Sequence, residues 1–417
     1  MNAVDRTASA RGPARGRAEA GAAYTLRDMA SGFVARLRDG ELGSLPVVLG
    51  LIVIAVLFQA LNPRFLAPGN LVNLTLQATP LGVIALGTVV VLLVAQIDLS
   101  VGSVSGLASA VVGVCAMRLQ WPMLIGVVAA IAAGAAIGAF YGFLLTRFGV
   151  PSFLITLAGL LAFLGVQLAL LGPSGSINIP FTDPLVQFAN TWFLPPWVAY
   201  IIVGIAALAV LGIGLARRRR RMLAQLPAEH PSVTIVKAAA LLIALCIVVW
   251  YLSLDRGTAI MPVLFLLLVV VVSYLLRRTR WGRSVFAVGG NVDAARRAGL
   301  PVTRTLITAF VICSALAALG GVLSAARLGS ATTLTGSADT NLNAIAAAII
   351  GGTSLFGGRG SAWSAVLGVL VISAISSGLT LLNLDASVRY IITGAVLLLA
   401  VVVDSLSRRS RATHGRA

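Results

Sequence analysis

A run of arginines that lipid cannot accept sets the terms for this chain. Residues 277–300, RRTRWGRSVFAVGGNVDAARRAGL, separate an apolar run at 260–276 from another that begins near Leu306. At the centre of a hydrocarbon layer each arginine costs roughly 2.5–3.5 kcal/mol, so this island belongs in water while its flanks belong in lipid. Positive loops are retained on the cytoplasmic face. Inside the island, Asn291 followed by 293–298 and then Gly299 reads as a short amphipathic helix with a glycine stop. On residues alone two uses stay open: a topology anchor, or a stiff helix that presses on a soluble partner.

Composition extends the membrane reading to the whole chain. Of 417 residues, 59% are hydrophobic and only 11% charged, which is the balance of a polytopic membrane protein. The net charge of +18 does not point to nucleic acid. The arginines gather in loops that would share one membrane face, where a basic rim meets anionic membrane lipid. Lys237 is the sole lysine, so no Gly-x-x-x-x-Gly-Lys loop can cradle a nucleotide, and any ATP must be used by another subunit. Cys115, Cys246 and Cys313 stand singly in apolar stretches, and His230 and His414 have no partners in sequence. No disulfide, metal, cofactor or catalytic arrangement can be assembled from them, and a transport subunit is expected in place of an enzyme.

The expected fold is all-α: a polytopic membrane helical bundle of about 10–12 transmembrane helices with broken or re-entrant segments. Residues 1–44 read as a cytoplasmic tail, 45–404 as the membrane domain and 405–417 as a second cytoplasmic tail. Apolar spans are expected at 45–61, 78–95, 101–117, 122–145, 151–172, 197–216, 236–254, 260–276, 307–325, 344–356, 362–382 and 388–404. Those at 101–117 and 344–356 are short for a crossing of about 20 residues. With both ends in the cytosol, the inner loops hold Arg147, the 217–221 arginine run, 277–306, Arg359 and the C-terminal arginines. The outer loops keep only Arg64, Arg118, Arg256 and Arg327. That skew follows the positive-inside rule. Trp121, Trp192, Trp197, Trp250 and Trp363 fall near span ends, as interface anchors do.

Two stretches inside the apolar part carry polar chemistry. Asp98 lies in QIDLSVGS (96–103); an ionisable group there is either functional or, with Ser100, a cap for the helix that follows. The segment 342–361, LNAIAAAIIGGTSLFGGRGS, has five glycines between 351 and 360. Such a stretch breaks a helix, and freed backbone suits a polar route through a membrane. Residues 102–111 weakly echo 358–366, an internal likeness expected of a two-half core.

Four motifs in order resemble the permease subunits of bacterial ABC monosaccharide importers, the ribose- and xylose-type family. They are IDLSVGS (97–103), VPSFLITL (150–157), the 342–361 block, and TRWGR, AVGGN, Ala294-Ala295 and Gly299 in the island. Gln96 replaces the family's usual Gly or Glu, and Asp293 replaces a frequent Glu. Asn341 and Asn343 stand where many ribose-type relatives are acidic; LNAIAA looks more like the xylose-type branch, as do the extra spans at 197–254. The resemblance implies that 277–306 is a coupling loop that docks on an ABC ATP-binding subunit, through Arg280, Gly282, Arg283, Gly289, Asn291, Asp293, Ala294, Ala295 and Gly299. It implies a second permease copy, most simply a homodimer, an extracytoplasmic sugar-binding protein, and a bacterial inner-membrane location. It implies a solute path near Asp98, Ser100, Asn341, Asn343, Thr353 and Ser354, whose uncharged amides and hydroxyls suit a monosaccharide such as D-xylose. The alternatives are a permease for branched-chain amino acids or another small solute in the same superfamily, and an ion-coupled secondary transporter, for which Asp98 and Asp404 are the acidic residues on offer.

Overall fold

The structure is a computed structural model that describes residues 45–385 apart from 227 and 229, together with 387, 388, 391, 392, 394, 395 and 398. The expected tails at 1–44 and 405–417 and most of the span at 388–404 lie outside the described residues. In chain order the elements are α1 (Leu45–Leu61), α2 (Pro68–Leu93), α3 (Val101–Gly113) with a π-helical turn after it (Val114–Arg118), α4 (Met123–Phe148) and α5 (Ser152–Leu171). Next come β1 (Ser176–Asn178), α6 (Pro184–Asn190), α7 (Pro196–Leu223), α8 (Pro231–Leu252) and α9 (Ile260–Arg278). The rest are α10 (Arg280–Gly290), α11 (Val292–Arg297), α12 (Val302–Leu328), β2 (Ser330–Thr332), α13 (Ala338–Ile350) and α14 (Trp363–Leu381). Among the described residues nine helices are long and apolar enough to cross a membrane, and α1 is a shorter apolar one. The chain is an all-α, multi-pass membrane bundle.

Several boundaries differ from the hydropathy reading, and for physical reasons. α2 starts at Pro68 and not near 78, because Asn70, Asn73 and Gln77 are helical although polar. α13 runs from Ala338 to Ile350, earlier than the expected 344–356, and again takes in polar residues at its start. α7 continues through the 217–221 arginines to Leu223; arginine is a good helix former, so the charge ends the apolar stretch without ending the helix. In the island, α10 precedes the short helix that the glycine stop marks.

The chain divides into two compact units. Pro196–Tyr251 forms one, made of α7 and α8. Within it the methyl group of Thr234 lies against Gly214, and His230 Nδ1 pairs with the Ser232 hydroxyl at 2.8 Å where α8 begins.

The other unit holds 45–195 and the described residues from 252 onward. Its axis is α12, which packs along α4, α2 and α3. Close approach of α4 depends on Gly134, Gly138 and Gly142, four residues apart on one face. A Cβ at Gly134 would stand 2.6 Å from the Ser314 carbonyl oxygen, one at Gly142 2.6 Å from Ile307 Cα, and one at Gly138 would overlap the Phe310 carbonyl. Lipid offers no hydrophobic drive for helices to associate, so this contact comes from dispersion between closely apposed backbones. On the other side α2 is enclosed, with Val83–Leu86 and Val89–Leu93 almost wholly buried. α14 packs on α13, α2 and α1. At its end Asn62 Nδ2 donates to the Leu381 carbonyl at 3.0 Å. β1 and β2 pair antiparallel with Ile177 opposite Ala331. One end of this unit carries α10 and α11; the opposite end carries β1, β2 and α6.

Gly138→Leu is expected to force α4 from α12 and lower stability by roughly 1–3 kcal/mol, seen as an earlier thermal midpoint for the detergent-solubilised chain. Gly165→Leu on α5, where a Cβ meets open space, should leave the midpoint where it is.

Candidate functional site

Between α2 and α3 the chain leaves the helix for 94–100. Ala95, at φ 58°, turns the backbone out of the last turn of α2. Residues 94–100 are all buried or half-buried, and the groups freed there find partners within the protein. Ser152 Oγ accepts from the Ile97 amide at 3.4 Å and Thr156 Oγ1 from the Leu99 amide at 3.0 Å. Asn341 Nδ2 donates to the Leu99 carbonyl at 2.6 Å. Asp98, 1% exposed, accepts on Oδ1 from the Ser100 amide at 2.8 Å and the Ser100 hydroxyl at 2.7 Å. Its Oδ2 faces Cys313 Sγ at 3.9 Å. Ser100 occupies the N-cap position of α3, yet neither side chain bonds α3 amides. Asp98 fixes the turn that leads into the helix instead of capping it.

The second break is the glycine-rich stretch. α13 stops at Ile350 and α14 starts at Trp363, and Gly352, Gly357, Gly358 and Gly360 have φ of 100°, 82°, 68° and 151°, values that side chains disfavour. The Gly358 amide donates to the Leu93 carbonyl at 3.0 Å, so the two breaks are bonded to each other through the end of α2. Thr353 is buried here, its amide bonded to Ala348 O at 3.0 Å. Ser354 pins the same turn: its amide donates to Arg359 O at 2.9 Å and its Oγ accepts from the Phe356 amide at 3.2 Å.

The island rests on this junction. Thr279 Oγ1 caps α10 by accepting from the Gly282 amide at 3.1 Å, and a Cβ at Gly282 would overlap the Leu276 carbonyl, so the chain turns tightly out of α9. Trp281 Nε1 donates to Thr308 Oγ1 on α12 at 2.8 Å, and Arg277 Nη2 to Ser361 Oγ at 3.1 Å. At the other end of α10, a Cβ on Gly289 would overlap the Leu93 carbonyl and lie 2.7 Å from the Gly358 amide nitrogen. Main chain from three segments meets there without a side chain between. Asn291 Oδ1 then caps α11 by accepting from the Ala294 amide at 2.8 Å. α11 ends in a Schellman turn: Gly299 N bonds Arg296 O at 3.0 Å, Leu300 N bonds Ala295 O at 3.1 Å, and Gly299 sits at φ 74°.

The expected coupling residues thus separate into two sets. Gly282, Gly289 and Ala295 are buried against the bundle, whereas Arg280, Arg283, Asn291, Asp293, Ala294 and Gly299 are exposed. Arg296, Arg297 and Arg304 join the exposed set, so this face is strongly basic, with Asp293 and Arg296 in a loose pair at 3.8 Å.

The expected path residues are also dispersed. Asp98, Ser100 and Asn341 belong to the first break, and Thr353 and Ser354 to the second. Asn343 alone of the six lines a cavity of about 270 Å³ nearer the opposite end, walled by α2, α3, α12 and α13. Gln77, Arg327 and Asp339 also face it, none of them among the expected path residues. Arg327, expected in an outer loop, lies in the last turn of α12. A polar residue adjoining an apolar run on a helix is the signal that would have found all three.

Residues 70–401 match the family described as "Branched-chain amino acid transport system / permease component". The chain is 33% identical to the xylose transport system permease protein of Escherichia coli strain K12, over 91% of this chain and 96% of that protein. It is also 33% identical to the Haemophilus influenzae protein of the same name, over 88% and 98%, and 32% identical to the Escherichia coli K12 ribose import permease protein, over 86% and 92%. No solved structure matches the chain. A match of this extent makes the chain a member of the transport-system permease family to which those xylose and ribose permeases belong.

Proposed function

We propose that this chain is the membrane permease of a bacterial ABC importer for a monosaccharide, with a pentose, D-xylose first, as its solute. Two copies would form the translocation unit in the inner membrane, with both termini in the cytosol. ATP-binding subunits would dock on the basic face of α10 and α11, and an extracytoplasmic sugar-binding protein would deliver the solute. The likeness to xylose and ribose permeases along nearly their full lengths supports the solute class.

One observation carries the mechanism: Gly289 of α10 packs directly on the Leu93 carbonyl and the Gly358 amide. Displacement of the exposed island by a closing ATPase pair would reach both helix breaks through main chain, with no flexible side chain to absorb it. Breaks in otherwise rigid helices are where a bundle can switch between two openings. Alternating access then follows from a push at one end.

The test is uptake of labelled D-xylose into proteoliposomes containing the permease, its ATPase and its binding protein. Accumulation should require ATP inside the compartment that the island faces; accumulation without nucleotide would sink the assignment. Uptake of L-leucine in place of D-xylose would move the chain to the amino-acid permeases of the same family.

Gly289→Val should insert and assemble yet lose most uptake, because the side chain drives α10 off both breaks. Arg283→Glu and Gly299→Asp should abolish uptake differently, by weakening co-purification of the ATPase. Wild-type uptake in Gly289→Val would refute transmission through this contact.

A further inference from the structure

The cavity of about 270 Å³ between α2, α3, α12 and α13 is unlike the rest of the bundle. Gln77 and Asn343 each present an amide that can donate and accept, and Thr340 presents a hydroxyl that does both. Among the described residues none of these three side chains has a hydrogen bond within the protein. One cation, Arg327, and one anion, Asp339, also line the space, so their formal charges sum to zero and the lining carries no net charge. Its volume approaches the low end, about 300 Å³, of pockets for small molecules.

The walls are held in place before any solute arrives. Arg327 Nη1 donates to Asn190 Oδ1. Asn190 is itself fixed through Nδ2 to the carbonyls of Val186 at 2.9 Å and Ala326 at 3.0 Å. Arg327 Nε is buried and without a protein partner. The loop before α13 is clamped by Gln167, whose Nε2 donates to the carbonyls of Thr332 at 3.0 Å and Thr335 at 2.8 Å. Gly336, at φ 78°, lets that loop lie against the Gly102 carbonyl. Unpartnered groups on a fixed frame are the economical way to hold a ligand, since little further ordering is needed when it binds.

We propose that this cavity is a solute site within the permease itself, which receives one neutral polyhydroxy molecule of pentose size. Gln77, Thr340 and Asn343 would exchange hydrogen bonds with its hydroxyls, and Arg327 and Asp339 would donate to and accept from the same array. The proposal rests on the sugar-permease reading and adds to it where the sugar pauses. The position fits that role. α2 and α13 form two of the walls, and the same two helices end in the two breaks that Gly289 joins. A push at the island would act on the walls of the pocket through two helices. Pro80, Leu81, Ile84 and Leu328 also line the cavity and offer the carbon face of a sugar ring an apolar seat; an amino acid could use the same seat together with the two charges, and the L-leucine probe separates the two solutes.

The experiment uses the permease–ATPase complex in nanodiscs without the binding protein, with D-xylose and L-leucine as probes in saturation-transfer NMR. Uptake into proteoliposomes with saturating binding protein is measured in parallel. Asn343→Leu should reduce both the D-xylose transfer signal and the uptake by about tenfold, the scale of one or two lost hydrogen bonds in a desolvated site. Gln77→Leu should act similarly. Thr340→Val, nearly equal in shape, replaces Asn343→Leu should that variant fail to assemble. Assembled variants that retain wild-type transfer and uptake of D-xylose overturn the site and leave the sugar reading standing. A wild-type complex that saturates and carries L-leucine but not D-xylose overturns both.

Discussion

The rest of this structure depends on satisfying seven residues of non-helical backbone, 94–100, all of them buried or half-buried. Each amide and carbonyl left there costs several kcal/mol if unpaired. Ser152 and Thr156 of α5, Asn341 of α13 and the carboxylate of Asp98 take up that demand. This requirement explains why α5, α13 and the break must lie together, and so why the bundle closes around α3. It also explains the spacing of Ser152 and Thr156: four residues apart on a helix, they present hydroxyls on one face to successive turns of the break.

Two of the sequence motifs, and the residue just before a third, therefore do one job in common. IDLSVGS supplies the break, VPSFLITL supplies Ser152 and Thr156, and the stretch before LNAIAA supplies Asn341. The fourth, the island, touches the same place from outside through Gly289. From the sequence they read as four separate signatures, and their convergence needs the fold. The unit Pro196–Tyr251 stands apart from this logic as a pair of apolar helices with a polar connection.

What the sequence made legible is what hydropathy and glycine report. The all-α membrane class, the short α3 and α13, the glycine-rich break and the Gly299 stop are all visible there, since each is a local cost in lipid or a local backbone need. What stayed hidden lies where polarity and helicity coexist. Gln77 and Asp339 made their helices look like loops, so the starts of α2 and α13 were set too late. Arg327 looked like a loop charge for the same reason. α10 carries an apolar face of its own, with Val285 and Val288 buried beside Gly282 and Gly289, but the arginines around it draw attention to charge instead of periodicity. The Asp98 choice between function and cap could not be made on residues alone; Asp98 proves to be committed to Ser100.

The contact at Gly289 has an evolutionary corollary. Every codon change away from glycine adds at least a methyl group, and here the neighbours are a carbonyl and an amide that cannot rotate aside. No small first step exists from which a relative could drift to a different joint at this point, whereas the exposed arginines around it can be exchanged one at a time. On the docking proposed above, divergence should thus alter which ATP-binding subunit the surface accepts long before it alters how force enters the bundle.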